Sequence, residues 1–168
     1  MRNTLKVLVE SNRFDRVLQQ VSHVSTTGEE VVDIKSASKG RLTAHVIVTK
    51  EMTNWSDRLH GGMTATLVDQ LSSLALTTAL VTPEQQREGV FAKVNSVSFP
   101  FLFAKVNSVS LDLSITYLNG VQLGDTLLIE ANALKCGKNI AFLSVDVFNQ
   151  NTNQLVANGK HTKYLLNK

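Results

Sequence analysis

Asp69 stands in a run of otherwise small or apolar character: Gly61-Gly62-Met63-Thr64-Ala65-Thr66-Leu67-Val68-Asp69-Gln70-Leu71-Ser72-Ser73-Leu74-Ala75-Leu76-Thr77-Thr78-Ala79-Leu80. A carboxylate in such a place is costly unless it is paired or hydrogen-bonded, and an ionised one can deprotonate a water molecule. The plainer reading is a structural bond on a narrow polar stripe shared with Thr66 and Ser73. His60-Gly61-Gly62, at the entrance to the same run, adds a second chemical possibility. Two glycines let a backbone pass close to a ligand, and the first N–H groups of a helix lack intrahelical partners. Such donors, with the helix dipole behind them, can hold negative charge developing on a carbonyl oxygen. A plain turn with a surface histidine is the alternative.

The run must itself be a helix, because apolar and small residues occupy nearly all its sides and Pro83 follows. A helix of that kind is covered on most faces. The elements around it read as strands. Val32 and Ile34, then Leu42, Ala44, Val46 and Val48, alternate at period two. This predicts a hairpin of 30–36 and 42–49 turning at Lys39-Gly40-Arg41. Beyond the polar linker 83–89, Val109, Leu111, Leu113, Ile115 and Tyr117 alternate with Ser110, Asp112, Ser114 and Thr116. Strands at 126–134 and 140–148 follow, with Cys136-Gly137-Lys138-Asn139 as their turn, and a last strand begins at Leu155. The opening residues 1–20 carry helical spacing at Phe14, Val17 and Leu18. A strand pair, a long buried helix and an antiparallel meander predict an α+β domain with a sheet wrapped around a helix.

Composition narrows the function classes. At 168 residues and 43% hydrophobic, the chain fits one domain with a substantial core. Its net charge of +3 is spread out, with no aromatic-basic stripe, so nucleic acid is not an expected partner. Apolar stretches end well short of the roughly 20 residues that span a bilayer. The single Cys136 makes no internal disulfide and favours a reducing compartment. Glu10 and Asp15 come early and no cleavage site follows the basic start, so no signal peptide is expected. The expected address is cytoplasmic, with mitochondria as the other option. Four scattered histidines and one cysteine make no ligand cluster, so neither a metal nor a redox cofactor is expected.

One segment is duplicated. Phe91-Ala92-Lys93-Val94-Asn95-Ser96-Val97-Ser98 recurs at 103–110, twelve residues on. The first copy runs into Phe99-Pro100, and proline cannot donate to a central ladder. The second copy is therefore assigned to the strand and 91–102 to an insertion.

The wider pattern resembles the hotdog-fold acyl-coenzyme A thioesterases. It is carried by Thr53-Asn54, Leu59-His60-Gly61-Gly62-Met63-Thr64-Ala65-Thr66-Leu67-Val68-Asp69, Ser110-Leu111-Asp112-Leu113-Ser114-Ile115-Thr116-Tyr117, Leu123-Gly124, Ala141-Phe142 and Gly159-Lys160-His161-Thr162-Lys163. The resemblance implies a hotdog fold and hydrolysis of acyl-coenzyme A, with medium- to long-chain acyl groups favoured. It implies a site shared between subunits of a homo-oligomer, a dimer or a dimer of dimers. There, Asn54 and the Gly61 N–H would polarise the thioester carbonyl, with His60 orienting that region. Asp69 of the neighbouring subunit would activate a water or attack directly, and Ser110, in preference to its duplicate Ser98, would place the water. Coenzyme A, as part of the substrate, would meet Tyr117, the turn of Lys135, Gly137, Lys138 and Asn139, and the chain near His161 and Tyr164. Lysines 135 and 138 suit phosphate as point charges, although solvated lysines are common at hairpin turns. Asn119-Gly120-Val121-Gln122 departs from the proline and lysine of the family at that place, removing one basic contact. Two alternatives stay open: a catalytically impaired acyl-coenzyme A binder, and a hotdog dehydratase or hydratase, whose proline-rich histidine loop is absent here.

Overall fold

A computed structural model describes residues 32–80 and 107–166. The N-terminal helical expectation for 1–20 and the first copy of the duplication lie outside the described residues. Strand β1 (Val32–Ser38) and β2 (Arg41–Ile47) form the predicted hairpin. Its turn is tighter than expected, with Gly40 at a φ of 74°, a left-handed conformation that glycine takes without steric cost. The turn is clamped from two sides. The Gly40 N–H donates to Thr78 Oγ1 (3.0 Å), and its carbonyl accepts from the Ala133 N–H (2.7 Å).

Helix α1 (Gly61–Leu80) follows, then β3 (Ser108–Tyr117), β4 (Thr126–Cys136), β5 (Ile140–Asn149) and β6 (Gln154–Leu165). The six strands form one antiparallel sheet in the order β1-β2-β4-β5-β6-β3. The meander expectation holds for β4, β5 and β6 but not for β3. That strand pairs with β6 at the far edge, leaving β4 to pair with β2. Alternation tells which face of a strand is buried, and says nothing about its neighbour.

Leu67, Val68, Leu71, Leu74 and Ala75 of α1 pack on Leu42, Ala44, Val46, Leu127, Ile129, Val145, Val147 and Ala157 of the sheet. Each fully buried Val or Leu side chain contributes about 1.5–3 kcal/mol, so this interface is the main force holding α1 in the sheet's curve. Hydroxyls inside it bond to the helix backbone. Thr77 donates to the Ser73 carbonyl (3.0 Å) and Thr78 to that of Ala75 (2.8 Å), which removes the cost of burying them. At Gly159, a Cβ would come 2.5 Å from Val68 Cγ1. The glycine lets β6 approach the helix beside Asp69, and the α+β plan of a sheet around a helix is the hotdog arrangement expected.

Candidate active site

The chain enters α1 through a small irregular hairpin. After a 3-10 turn at Lys50–Met52, the His60 N–H donates to the Met52 carbonyl (2.9 Å) and the Asn54 N–H to that of Arg58 (2.8 Å). The Asn54 side chain organises the tip. Its Oδ1 accepts from the backbone N–H groups of Ser56 (2.9 Å) and Arg58 (3.2 Å). Two backbone donors on one atom identify that atom as the oxygen and leave Nδ2 as a donor held in a fixed direction. His60 sits in the next turn. Its Nδ1 accepts from the Gly62 N–H (3.0 Å). Among the described residues no acceptor meets the Gly61 N–H, and its carbonyl takes the Tyr117 hydroxyl (2.9 Å). A free helix-terminal N–H and an oriented amide thus stand at the same end of α1.

Asp69 lies two turns further along α1, beside the Ser110 end of β3. Its side chain is 25% exposed, and it lines an open cleft of about 250 Å³ with Ala65, Thr66, Ser110 and Leu113. Around it is a buried network. His161, 1% exposed, has Nδ1 2.7 Å from Ser72 Oγ and Nε2 2.9 Å from Ser110 Oγ. The same Nε2 lies 3.5 Å from Asp69 Oδ1. Lys163, 7% exposed, donates to Ser73 Oγ (2.8 Å) with its Nζ 4.0 Å from Asp69 Oδ1. Burial pushes the His161 pKa down to about 4, the Lys163 charge adds to the fall, and Asp69 and Asp112 oppose it. Lys163 is itself lowered by burial, opposed by Asp69.

Ser110 reaches this cluster because β3 is irregular. Strict alternation would set Ser110 and Leu113 on opposite faces. A break in the register between Ser110 and Asp112 leaves Leu111 as an extra residue. Ser110 therefore pairs with Lys163 and Leu113 with His161, both on the helix side. Bulges re-aim side chains in this way beside functional sites.

His161 was expected beside the coenzyme. Its side chain is buried between Ser72 and Ser110, within the Asp69 network. Ser72 was not singled out by sequence, Ser73 only on the polar stripe beside Asp69, and Lys163 only within the Gly159–Lys163 segment, since the bonds that join α1 to β6 here span about ninety residues of chain. Among the coenzyme candidates, Asn139 Nδ2 bonds the Tyr164 hydroxyl (3.3 Å), with exposed Lys135 at the end of β4 and exposed Gly137 and Lys138 in the adjoining turn. Tyr117 is apart from them, at the opposite end of β3 beside Gly61. The site residues thus fall into two groups within one chain. Asn54, His60, Gly61 and Tyr117 form one, and Asp69, Ser110 and His161 the other. Eight residues of helix separate Gly61 from Asp69, or about 12 Å along the axis.

The thioesterase superfamily model matches residues 57–156, from within the entry hairpin through α1, β3, β4 and β5 into the start of β6. The chain belongs to the thioesterase superfamily. Among the relatives of this thioesterase chain, human acyl-coenzyme A thioesterase 13 is 35% identical over 167 residues, covering 99% of this chain and 95% of that protein. The crystal structure of zebra fish thioesterase superfamily member 2 matches with a TM-score of 0.69 and 32% identity, over 96% of this chain and 92% of that one. A Streptococcus mutans protein bound to acetyl CoA matches with a TM-score of 0.64 and 28% identity, over 83% and 91%.

Proposed function

We propose that this thioesterase hydrolyses acyl-coenzyme A to a free carboxylic acid and coenzyme A, in sites built from two copies of the chain. The observation that carries this reading is the division of the chemistry between the two ends of β3. Oxyanion donors stand at one end and a carboxylate with Ser110 at the other. About 12 Å is too far for one chain to hold a carbonyl oxygen on Gly61 while Asp69 serves the attacking water, because those atoms lie within about 3 Å of one another. Among the described residues strand β3 ends the sheet, and Val109, Leu111 and Leu113 on it are exposed. An unpaired apolar edge is a template for a second strand. Antiparallel pairing of two β3 edges about a two-fold near Leu113 lays the Ser110 end of one chain beside the Tyr117 end of the other. Asp69 of each chain then meets Asn54 and Gly61 of its partner.

In that site the thioester carbonyl accepts from the Gly61 N–H and Asn54 Nδ2. Asp69, with Ser110 placing the water, takes a proton as the water oxygen bonds to the carbonyl carbon. The tetrahedral oxyanion collapses, the carbon–sulfur bond breaks, and the thiolate leaves to be protonated. Lys135 and Lys138 serve the coenzyme phosphates, with Asn139 and Tyr164 beside them. The apolar lining from Ala65 and Leu113 accords with a medium- to long-chain fatty acyl group. Exposed Phe142 and Leu134 offer apolar surface for a dimer of dimers.

The test is thiol release from acyl-coenzyme A esters of graded chain length. Asp69→Ala should lower kcat by about a hundredfold to ten-thousandfold, the range a positioned base contributes, while still binding ester. Full turnover in Asp69→Ala would refute the mechanism. A folded wild-type oligomer inert toward every ester would leave a binder in place of an enzyme.

A further inference from the structure

We infer that Lys163 is a positioning residue for this reaction: its tethered ammonium is the fixed positive charge of the Asp69 cluster, and His161 serves there as a neutral link to Ser110, not as a second cation. The inference rests on the reading of Asp69 as the base. Its ground is that one carboxylate oxygen faces two candidate cations. Asp69 Oδ1 lies 3.5 Å from His161 Nε2 and 4.0 Å from Lys163 Nζ. Among the described residues Asp69 is the one carboxylate within 4.0 Å of both groups, and a second buried cation without a close partner of its own is strongly unfavourable.

Lys163 is the one held as a cation. Its Nζ is fixed by Ser73 Oγ at 2.8 Å, while its stem passes through the buried interface between β6 and α1. His161 is flanked by Leu143 of β5 and Leu113 of β3 across the sheet. The charged groups that face it are Lys163 on its own strand, Asp69 on α1 and Asp112 on β3. Burial and Lys163 together outweigh the two carboxylates, which leaves the ring neutral at physiological pH.

Neutrality has a chemical purpose. A neutral imidazole offers one donor and one acceptor, matching the two serine hydroxyls at 2.7 and 2.9 Å. An imidazolium would instead direct Nε2–H toward Asp69 Oδ1 and tie up the base that the water needs. Lys163 cannot close on the carboxylate in that way while Ser73 holds it.

The experiment follows the His161 ring by nitrogen-15 NMR across pH, its signal assigned by its loss in His161→Gln. Wild type should keep the ring neutral at pH 6. Lys163→Gln keeps a donor for Ser73 but no charge, and there the ring should titrate on the order of one pH unit higher. The acid limb of kcat/KM should move up with it, so that activity falls more at low pH than at pH 8. Lys163→Arg should return both toward wild type. A wild-type ring titrating near the ordinary 6.5 would overturn the proposal, as would an unmoved ring and a parallel pH profile in Lys163→Gln. If Lys163→Gln does not fold, Lys163→Met and the wild-type titration decide by the same outcomes. The titration needs no turnover, so its failure is distinct from failure of the Asp69 mechanism, which Asp69→Ala reads.

Discussion

Asn54 does two things with one amide. Its oxygen shapes the hairpin tip by accepting from Ser56 and Arg58, and its nitrogen is the donor proposed to meet the substrate. Asn54→Asp separates the two, because a carboxylate keeps both acceptor bonds and loses the donor. The variant should fold with a Tm near wild type and lose about a hundredfold to a thousandfold in kcat, the usual cost of one oxyanion donor. Equal activity would show that the amide nitrogen makes no contact in the transition state. Gly159 makes the opposite kind of prediction. A methyl there would press on Val68 at 2.5 Å, and valine is stiff about χ1. Gly159→Ala should destabilise by about 1–3 kcal/mol through overpacking, read as a lower urea midpoint. Adding Val68→Ala should give back part of the loss, and strict additivity of the two changes would disprove the contact.

At the level of elements, β3 decides most. It supplies Ser110 through its bulge, and its free edge carries Leu111, 57% exposed. Leu111→Lys places a charge on that edge, a device that blocks strand pairing. The expected result is a monomer by sedimentation whose activity is lost although Asp69 and Asn54 are intact. A fully active monomer would sink the shared site. Ser110→Ala should slow turnover more than Ser98→Ala, and the reverse ranking would assign the role to the other copy of the repeat. The same strand marks the limit of what sequence could tell. Its existence and its end at Tyr117 are legible in the alternation of Val109 to Tyr117. Its seat beside β6 and its bulge are not, because both depend on partners some fifty residues away. α1 was legible over its whole length since its apolar surround is local. Asp69 and Gly61 stood out against that surround, whereas Lys163 looked like any lysine of an alternating strand.

Across the molecule, the buried network ties stability to pH. The folded-state pKa of His161, about 4, lies below its ordinary 6.5, so the unfolded chain binds the extra proton between those values. Stability is therefore full above about pH 6.5 and is lost as pH falls toward about 4. His161→Gln should flatten that part of the curve of urea midpoint against pH. An unchanged slope would show that His161 is not the group responsible. The sheet and helix that create this network also put Gly61 and Asp69 two turns apart, and that spacing has a consequence in the language of heredity. An Asp69→Ala allele and an Asn54→Asp allele are each defective alone. If each site is built from two chains as proposed, their mixed dimers on co-expression contain one site with both faults and one with neither. Random pairing makes about half the dimers mixed, so about one quarter of wild-type activity should return. Two broken copies would complement each other, as the halves of a site can only when they belong to different chains.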